Sequence, residues 1–171
     1  NTWNHVAIVK SNGVVNLYLN GVKTSGSFSQ AGAFGLATLT THIGVYSVNQ
    51  TAPFVGYIAD VRVTKGIALY TSSFYPGPAP LTPITYANNS TTQANTIYSN
   101  FLLNGTSGGV IDQSRTIHLE TVGDAKVVNG FGPYSGNNYS ILFNGTSDYL
   151  TLSADPISAR SEEHTSELQS H

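Results

Sequence analysis

FVGYIADVRVTKGIALYTSSF, residues Phe54 to Phe74, is the stretch that decides the fold. Side chains of an extended chain alternate with period two, so Tyr57, Ala59, Val61 and Val63 fall on one face and Ile58, Asp60, Arg62 and Thr64 on the other. The pattern predicts one long strand of an antiparallel sheet. Lys65-Gly66 stops the strand and Leu69-Tyr70 resumes apolar contact. From Pro76 the chain enters a proline-rich passage that cannot remain in a sheet.

Upstream, WNHVAIVK (Trp3 to Lys10) is apolar enough on both faces for a central strand. Ser11-Asn12-Gly13 is a tight hairpin signal, Val14 to Asn20 alternates as the returning strand, and Asn20-Gly21 is a second turn. Thr24 to Ala37, with Phe28, Phe34 and Leu36 among small residues, reads as a loose loop or short edge strand, and Leu39 to Tyr46 as a further strand. Downstream, Pro76, Pro78, Pro80 and Pro83 followed by the polar run Asn88 to Thr92 read as a linker. Short strands are then predicted at Tyr98 to Leu103, Val110 to Ser114, Thr116 to Val122, Ala125 to Val128, Tyr139 to Asn144 and Tyr149 to Leu152. Asn129 to Asn138 reads as a glycine-rich loop. No stretch carries a 3.6-residue period, so the chain is expected to be all-β.

Composition agrees. Of 171 residues only 9% are charged, so hydroxyls and amides must make the surface polar, as suits an extracellular or virion β-module. A net charge of -2 gives no case for nucleic acid or an anionic membrane, both of which select basic patches. Without cysteine there is neither a disulfide nor thiol chemistry. No apolar run approaches the roughly 18 residues that span a bilayer. The chain holds no methionine and opens in mid-pattern, which reads as a fragment of a longer parent.

The last twelve residues, RSEEHTSELQSH (160–171), break with the rest. They hold three of the nine acidic residues and two of the five histidines. They resemble the in-frame translation of a sequencing-library adapter and are set aside from fold reasoning, which leaves residues 1–159 formally neutral. The alternative is a short polar helix, favoured by local propensity.

WNHVAIVK, LYLNG, HIGVY and the Phe54–Phe74 stretch, in that order, resemble the C-terminal half of a laminin-G-like domain of the concanavalin A-like lectin/glucanase superfamily. NFLLNGTSGGVIDQS, VGDA and SILFNGTSDYLTL, over residues 100–155, resemble the N-terminal half of another copy. The expected organisation is therefore a first half-repeat at 1–78, a linker at 79–96, a second half-repeat at 97–159 and an artefactual tail at 160–171. The resemblance implies an antiparallel β-sandwich of jelly-roll type. Two isolated half-sandwiches would leave several Val, Leu and Phe side chains in water at about 1.5–3 kcal/mol each. The halves are therefore expected to close on each other as one incomplete, permuted sandwich, with contacts between the strand of Leu142 and Phe143 and that of Leu17 or Val61.

The resemblance further implies glycan or cell-surface recognition by a larger surface or virion protein, such as a phage tail fibre. A purely structural spacer domain is the alternative and a glucanase fragment the distant one. No catalytic pair is found: Asp60, Asp112, Glu120, Asp124, Asp148 and Asp155 are scattered, whereas glycoside hydrolysis needs two carboxylates facing one cleft. His5, His42 and His118 have no neighbour at ligand spacing, so no zinc site is expected. Relatives of this fold bind calcium at the sandwich rim, which makes Asp112 and Asp148 the calcium candidates against the simpler role of capping turns. Tyr46, Tyr134 and Tyr139 lie nearest loops and are the candidates for sugar stacking, against the simpler role of covering the core edge. No nucleic acid or membrane insertion is expected, and any homo-oligomer would form through the parent protein.

Overall fold

Asn-Gly pairs build the first three strands, β1 (Asn4–Ser11), β2 (Val14–Leu19) and β3 (Val22–Ser29). Asn12 and Gly13 have φ of 50° and 71°, Asn20 and Gly21 of 51° and 77°. Two successive left-handed residues match the twist of the flanking strands, which is why these pairs close hairpins. Gly21 is also fixed by packing, since a Cβ there would lie 2.0 Å from the carbonyl oxygen of Phe74.

The computed structural model of the protein describes residues 2–32, 40–46, 49–82, 84–86, 96–98, 101–106, 109–114, 117–153 and 164–171. After β3 come β4 (His42–Ile43), β5 (Val55–Lys65), β6 (Ile84–Tyr86), β7 (Thr96–Tyr98), β8 (Phe101–Thr106), β9 (Gly109–Asp112), β10 (Leu119–Val122), β11 (Lys126–Tyr134), β12 (Asn137–Asn144), β13 (Tyr149–Leu152) and β14 (His164–Ser170). Every pairing is antiparallel and none of the described residues is helical.

The large sheet runs β11-β12-β5-β14-β1-β2-β3, and β8, with β9 beyond it, shares the β12 side of β5. Ile58 and Tyr57 pair with Ile141 and Leu142 of β12, and Asp60 to Val63 pair with Asn104 to Phe101 of β8. The trailing and leading segments thus close on one another as expected, and β5 is where they join. A second sheet, β10-β13-β4, packs on the large one, while β6 and β7 form a separate two-stranded ribbon.

Alternation along β5 assigns its two faces. Val61 and Val63 enter the core between the sheets with Phe101, Leu103, Ile141 and Phe143 of the large sheet and Leu150 and Leu152 of the small one. Asp60, Arg62 and Thr64 point to the outer face, away from the small sheet, and are buried there as well. Their cover is the chain after β5: Ala68, Leu69 and Tyr70 form a second core with Ala7, Val9 and Tyr18, and Phe74 packs against it. Burying ten apolar residues in one core and six in another explains how so weakly charged a chain holds together.

Several expectations are corrected. Ile58 was placed opposite Val61, yet it joins the same core. Against β14 the register steps from Val61–Leu168 to Ile58–Ser170, so β5 carries one extra residue and its alternation inverts at that bulge. Leu17 and Leu19, alternating apolar positions of β2, are 40% and 48% exposed, because the three strands of the small sheet cover the part of the large sheet around β5 and not β2. The strand read at Leu39 to Tyr46 is two residues long, followed by an isolated bridge from Tyr46 to Thr51. The glycine-rich stretch Asn129 to Asn138 lies mostly within β11 and β12, with an irregular register between Asn129 and Tyr134. Phe34, Leu36 and the run Asn88 to Thr92 lie outside the described residues.

Two further observations concern the segment read as linker and the tail set aside as artefactual. Within 79–96, read as linker, Leu81 is bonded through its amide to Asp60 (3.0 Å) and through its carbonyl to Asn104 (3.1 Å), and Ile84–Tyr86 pairs with β7. The tail, set aside at first and given helical propensity, supplies β14, a strand hydrogen-bonded on both sides between β1 and β5. Ser166, Leu168 and Ser170 alternate against Glu167 and Gln169, a period-two pattern, and pairing on two edges overrides a helical preference worth only tenths of a kcal/mol per residue.

Candidate binding surface

The outer face is organised by one carboxylate. Glu167, fully buried on β14, accepts hydrogen bonds from Arg62 Nε on β5 (2.6 Å) and the Tyr70 hydroxyl (3.0 Å), and pairs with His5 Nε2 on β1 (3.0 Å). Arg62 makes a second ion-pair contact to the same carboxylate through Nη2 and donates to the Tyr70 hydroxyl at 3.3 Å. Burial alone would raise the Glu167 pKa, but the charge of Arg62 and the hydrogen bond from His5 outweigh it and hold the carboxyl below the usual range. Tyr70 is pushed above the ordinary phenol range, by burial first and then by the Glu167 charge. A second knot lies beside it: Asp60 accepts from Tyr134 (2.7 Å), Asn104 (2.8 Å) and the Leu81 amide. Burial is the largest influence on Asp60 and leaves its pKa raised despite these donors.

Next to these knots the same face carries a row of rings. Trp3 and His171 lie 5.3 Å apart between centroids, His171 and Tyr57 5.8 Å, and Tyr57 stacks on Phe131 at 4.9 Å with planes 3° apart. The four rings come from neighbouring parts of the sheet, and alternation puts them together. Trp3 shares its face with His5, His171 with Glu167 and Gln169, and Tyr57 lies opposite the inward Ile58. Phe131 is 54% exposed, and Trp3, Tyr57 and His171 are partly exposed. Such a row offers flat, polarisable faces with little conformational freedom to lose.

The inner face is of another kind. Between the sheets opens a cleft of about 720 Å³, lined chiefly by Val6, Ile43, Phe54, Ile58, Val63 and Leu168. His42 also borders it, in edge contact with Tyr149, and its Nδ1 is buried without a hydrogen-bond partner among the described residues.

The residues singled out from the sequence are dispersed. Asp112 accepts from the amides of Leu102 (2.9 Å), Ser114 (3.0 Å) and Ile117 (2.9 Å) and from the Ser114 hydroxyl. Burial pushes its pKa up, but these donors outweigh burial and leave it lowered. Asp148 accepts from the amides of Asp124 (2.8 Å) and Asn144 (3.0 Å). Both carboxylates clamp turns, and among the described residues no three His, Asp or Glu side chains converge on a point where a metal ion could sit. Tyr134 is buried with its hydroxyl committed to Asp60. Tyr46 is 57% exposed beyond β4, and Tyr139 is half-buried on β12. Sequence reading missed the ring row because its members lie 54, 74 and 40 residues apart along the chain and meet only through strand pairing. Alternation groups Tyr57 with the inward Val61 and Val63, and only the bulge in β5 turns it outward, so the one local signal was the parity of Trp3 with His5.

No curated protein and no solved structure matches the chain. The all-β, two-sheet architecture agrees with what a family comparison finds for its first part: residues 1–69 match the laminin-G-type family model of the concanavalin A-like lectin/glucanases superfamily.

Proposed function

We propose that this chain is a non-catalytic recognition module of a larger extracellular, cell-surface or virion protein, and that it binds glycans on the outer face of its large sheet. The observation that carries the reading is the row Trp3, His171, Tyr57 and Phe131, with steps of 4.9 to 5.8 Å between rings. The C–H faces of pyranose rings stack on such surfaces, and rings already held in a row lose little entropy on binding. The superfamily match over residues 1–69 is in keeping with a lectin-like role. A non-catalytic role is supported by the employment of the carboxylates: Asp60, Asp112, Asp148 and Glu167 each hold the fold together through hydrogen bonds, and Asp124 pairs with Lys126.

A glycan array followed by calorimetry on the best oligosaccharide tests this. Removing the exposed ring in Phe131→Ala, or its stacking partner in Tyr57→Ala, is expected to weaken binding about tenfold, equivalent to about 1.4 kcal/mol. Unchanged affinity in both variants would move the site elsewhere, and an array without any ligand would favour the architectural spacer.

A further inference from the structure

Strand β14 occupies its place in an unusual way. It pairs with seven residues of β1 on one edge and with β5 on the other, and divides a sheet whose remaining pairings lie wholly on one side of it or the other. Its apolar anchoring is slight: of the residues it turns toward the cleft, Ser166, Leu168 and Ser170, the serines are small and polar, and Leu168 packs partly buried against the core. What fixes the strand is its main chain, bonded on both edges, and Glu167. That carboxylate is buried among three groups from elsewhere in the chain, His5 on β1, Arg62 on β5 and Tyr70 of the covering segment. Without an acid in this position Arg62, itself 3% exposed, would be a buried cation deprived of its carboxylate, a costly arrangement.

We infer that the channel between β1 and β5 is a strand-acceptor site, which takes an extended peptide segment bearing a carboxylate opposite Arg62 and His5 and an aliphatic side chain at the next position. Main-chain pairing on two edges supplies affinity that is indifferent to sequence, and alternate side chains supply the choice of partner, as in strand addition to an open sheet. Here the choice is made by charge complementarity. The basic pair admits an acid, whereas an amide of the same shape forfeits the ion pair and an apolar residue leaves Arg62 without its anion.

The test uses the full chain and a fluorescent peptide of residues 164–171, HTSELQSH. The chain carrying Glu167→Gln holds its own strand less firmly, so it should capture the glutamate peptide at least tenfold more tightly than the same peptide with Glu167→Gln, as read by fluorescence anisotropy. Because that variant could lose its fold, the unaltered chain is incubated in parallel with excess peptide, and bound label is measured after gel filtration. It should take up the glutamate peptide more slowly and with the same preference. Equal capture of both peptides would overturn the charge rule, and no capture by either chain would overturn the acceptor site. Dimers forming by mutual strand exchange without uptake of free peptide would overturn the choice of occupant.

Discussion

The two faces of β5 are buried by opposite means. Toward the small sheet, Val61 and Val63 meet Phe101, Phe143, Leu150 and Leu152, and stability there comes from apolar surface removed from water. Toward the covering segment, Asp60 and Arg62 are 2% and 3% exposed, each tied to partners on other strands. The first face tolerates approximate fit and remains open at the cleft. The second is highly specified, since every buried charge must meet its counterpart or cost several kcal/mol. The rings attributed to recognition lie beside the second face, the more rigidly determined of the two.

If this contrast is right, the largest loss follows Arg62→Met, which strands Glu167 in the interior. Chemical denaturation at neutral pH should show about 3–5 kcal/mol of destabilisation. The pH dependence is the sharper readout. In the wild type the lowered pKa of Glu167 contributes stability that is present above the unfolded carboxylate value and lost as pH falls through the lower folded one. In the variant, buried Glu167 has lost Arg62, so its pKa rises and protonation favours the fold. The penalty should therefore shrink in acid. Leu150→Ala, on the apolar face, should cost about 2–5 kcal/mol by opening a cavity, and that loss should be flat with pH. A penalty for Leu150→Ala as pH-dependent as that of Arg62→Met would break the comparison.

Smaller effects refine it. Tyr134→Phe removes one donor from Asp60 while Asn104 and Leu81 remain, and should cost about 1–3 kcal/mol. Because burial already raises the Asp60 pKa, acid should relieve this variant, as it does Arg62→Met. Lys126→Ala, which removes an exposed pair with Asp124, should leave the denaturation midpoint unchanged.

The sequence reveals the all-β class and most strand positions because alternation, Asn-Gly turns and proline are local signals. Lys65-Gly66 ends β5 where read, and Asn12-Gly13 and Asn20-Gly21 form the turns they predict. Ile58 was misplaced because a bulge depends on the partner strand, here β14, and has no signature in β5 itself. Alternation puts Asp60 and Arg62 on one strand face, where charged side chains ordinarily meet solvent. In the fold both are buried and each has a separate partner, because the segment after β5 folds back over them. The ring row has no comparable local signal: Trp3, Tyr57, Phe131 and His171 are far apart in the chain and are assembled by pairing across β1, β14, β5, β12 and β11.

On this reading, recognition belongs to the outer face and the cleft belongs to the core. Backbone amide shifts of the isotope-labelled chain, followed during titration with the oligosaccharide selected on the array, test it most directly. Perturbations should centre on Trp3, Tyr57, Phe131 and His171, with Val6, Ile43, Phe54 and Val63 of the cleft unmoved. Shifts confined to those cleft residues would contradict it.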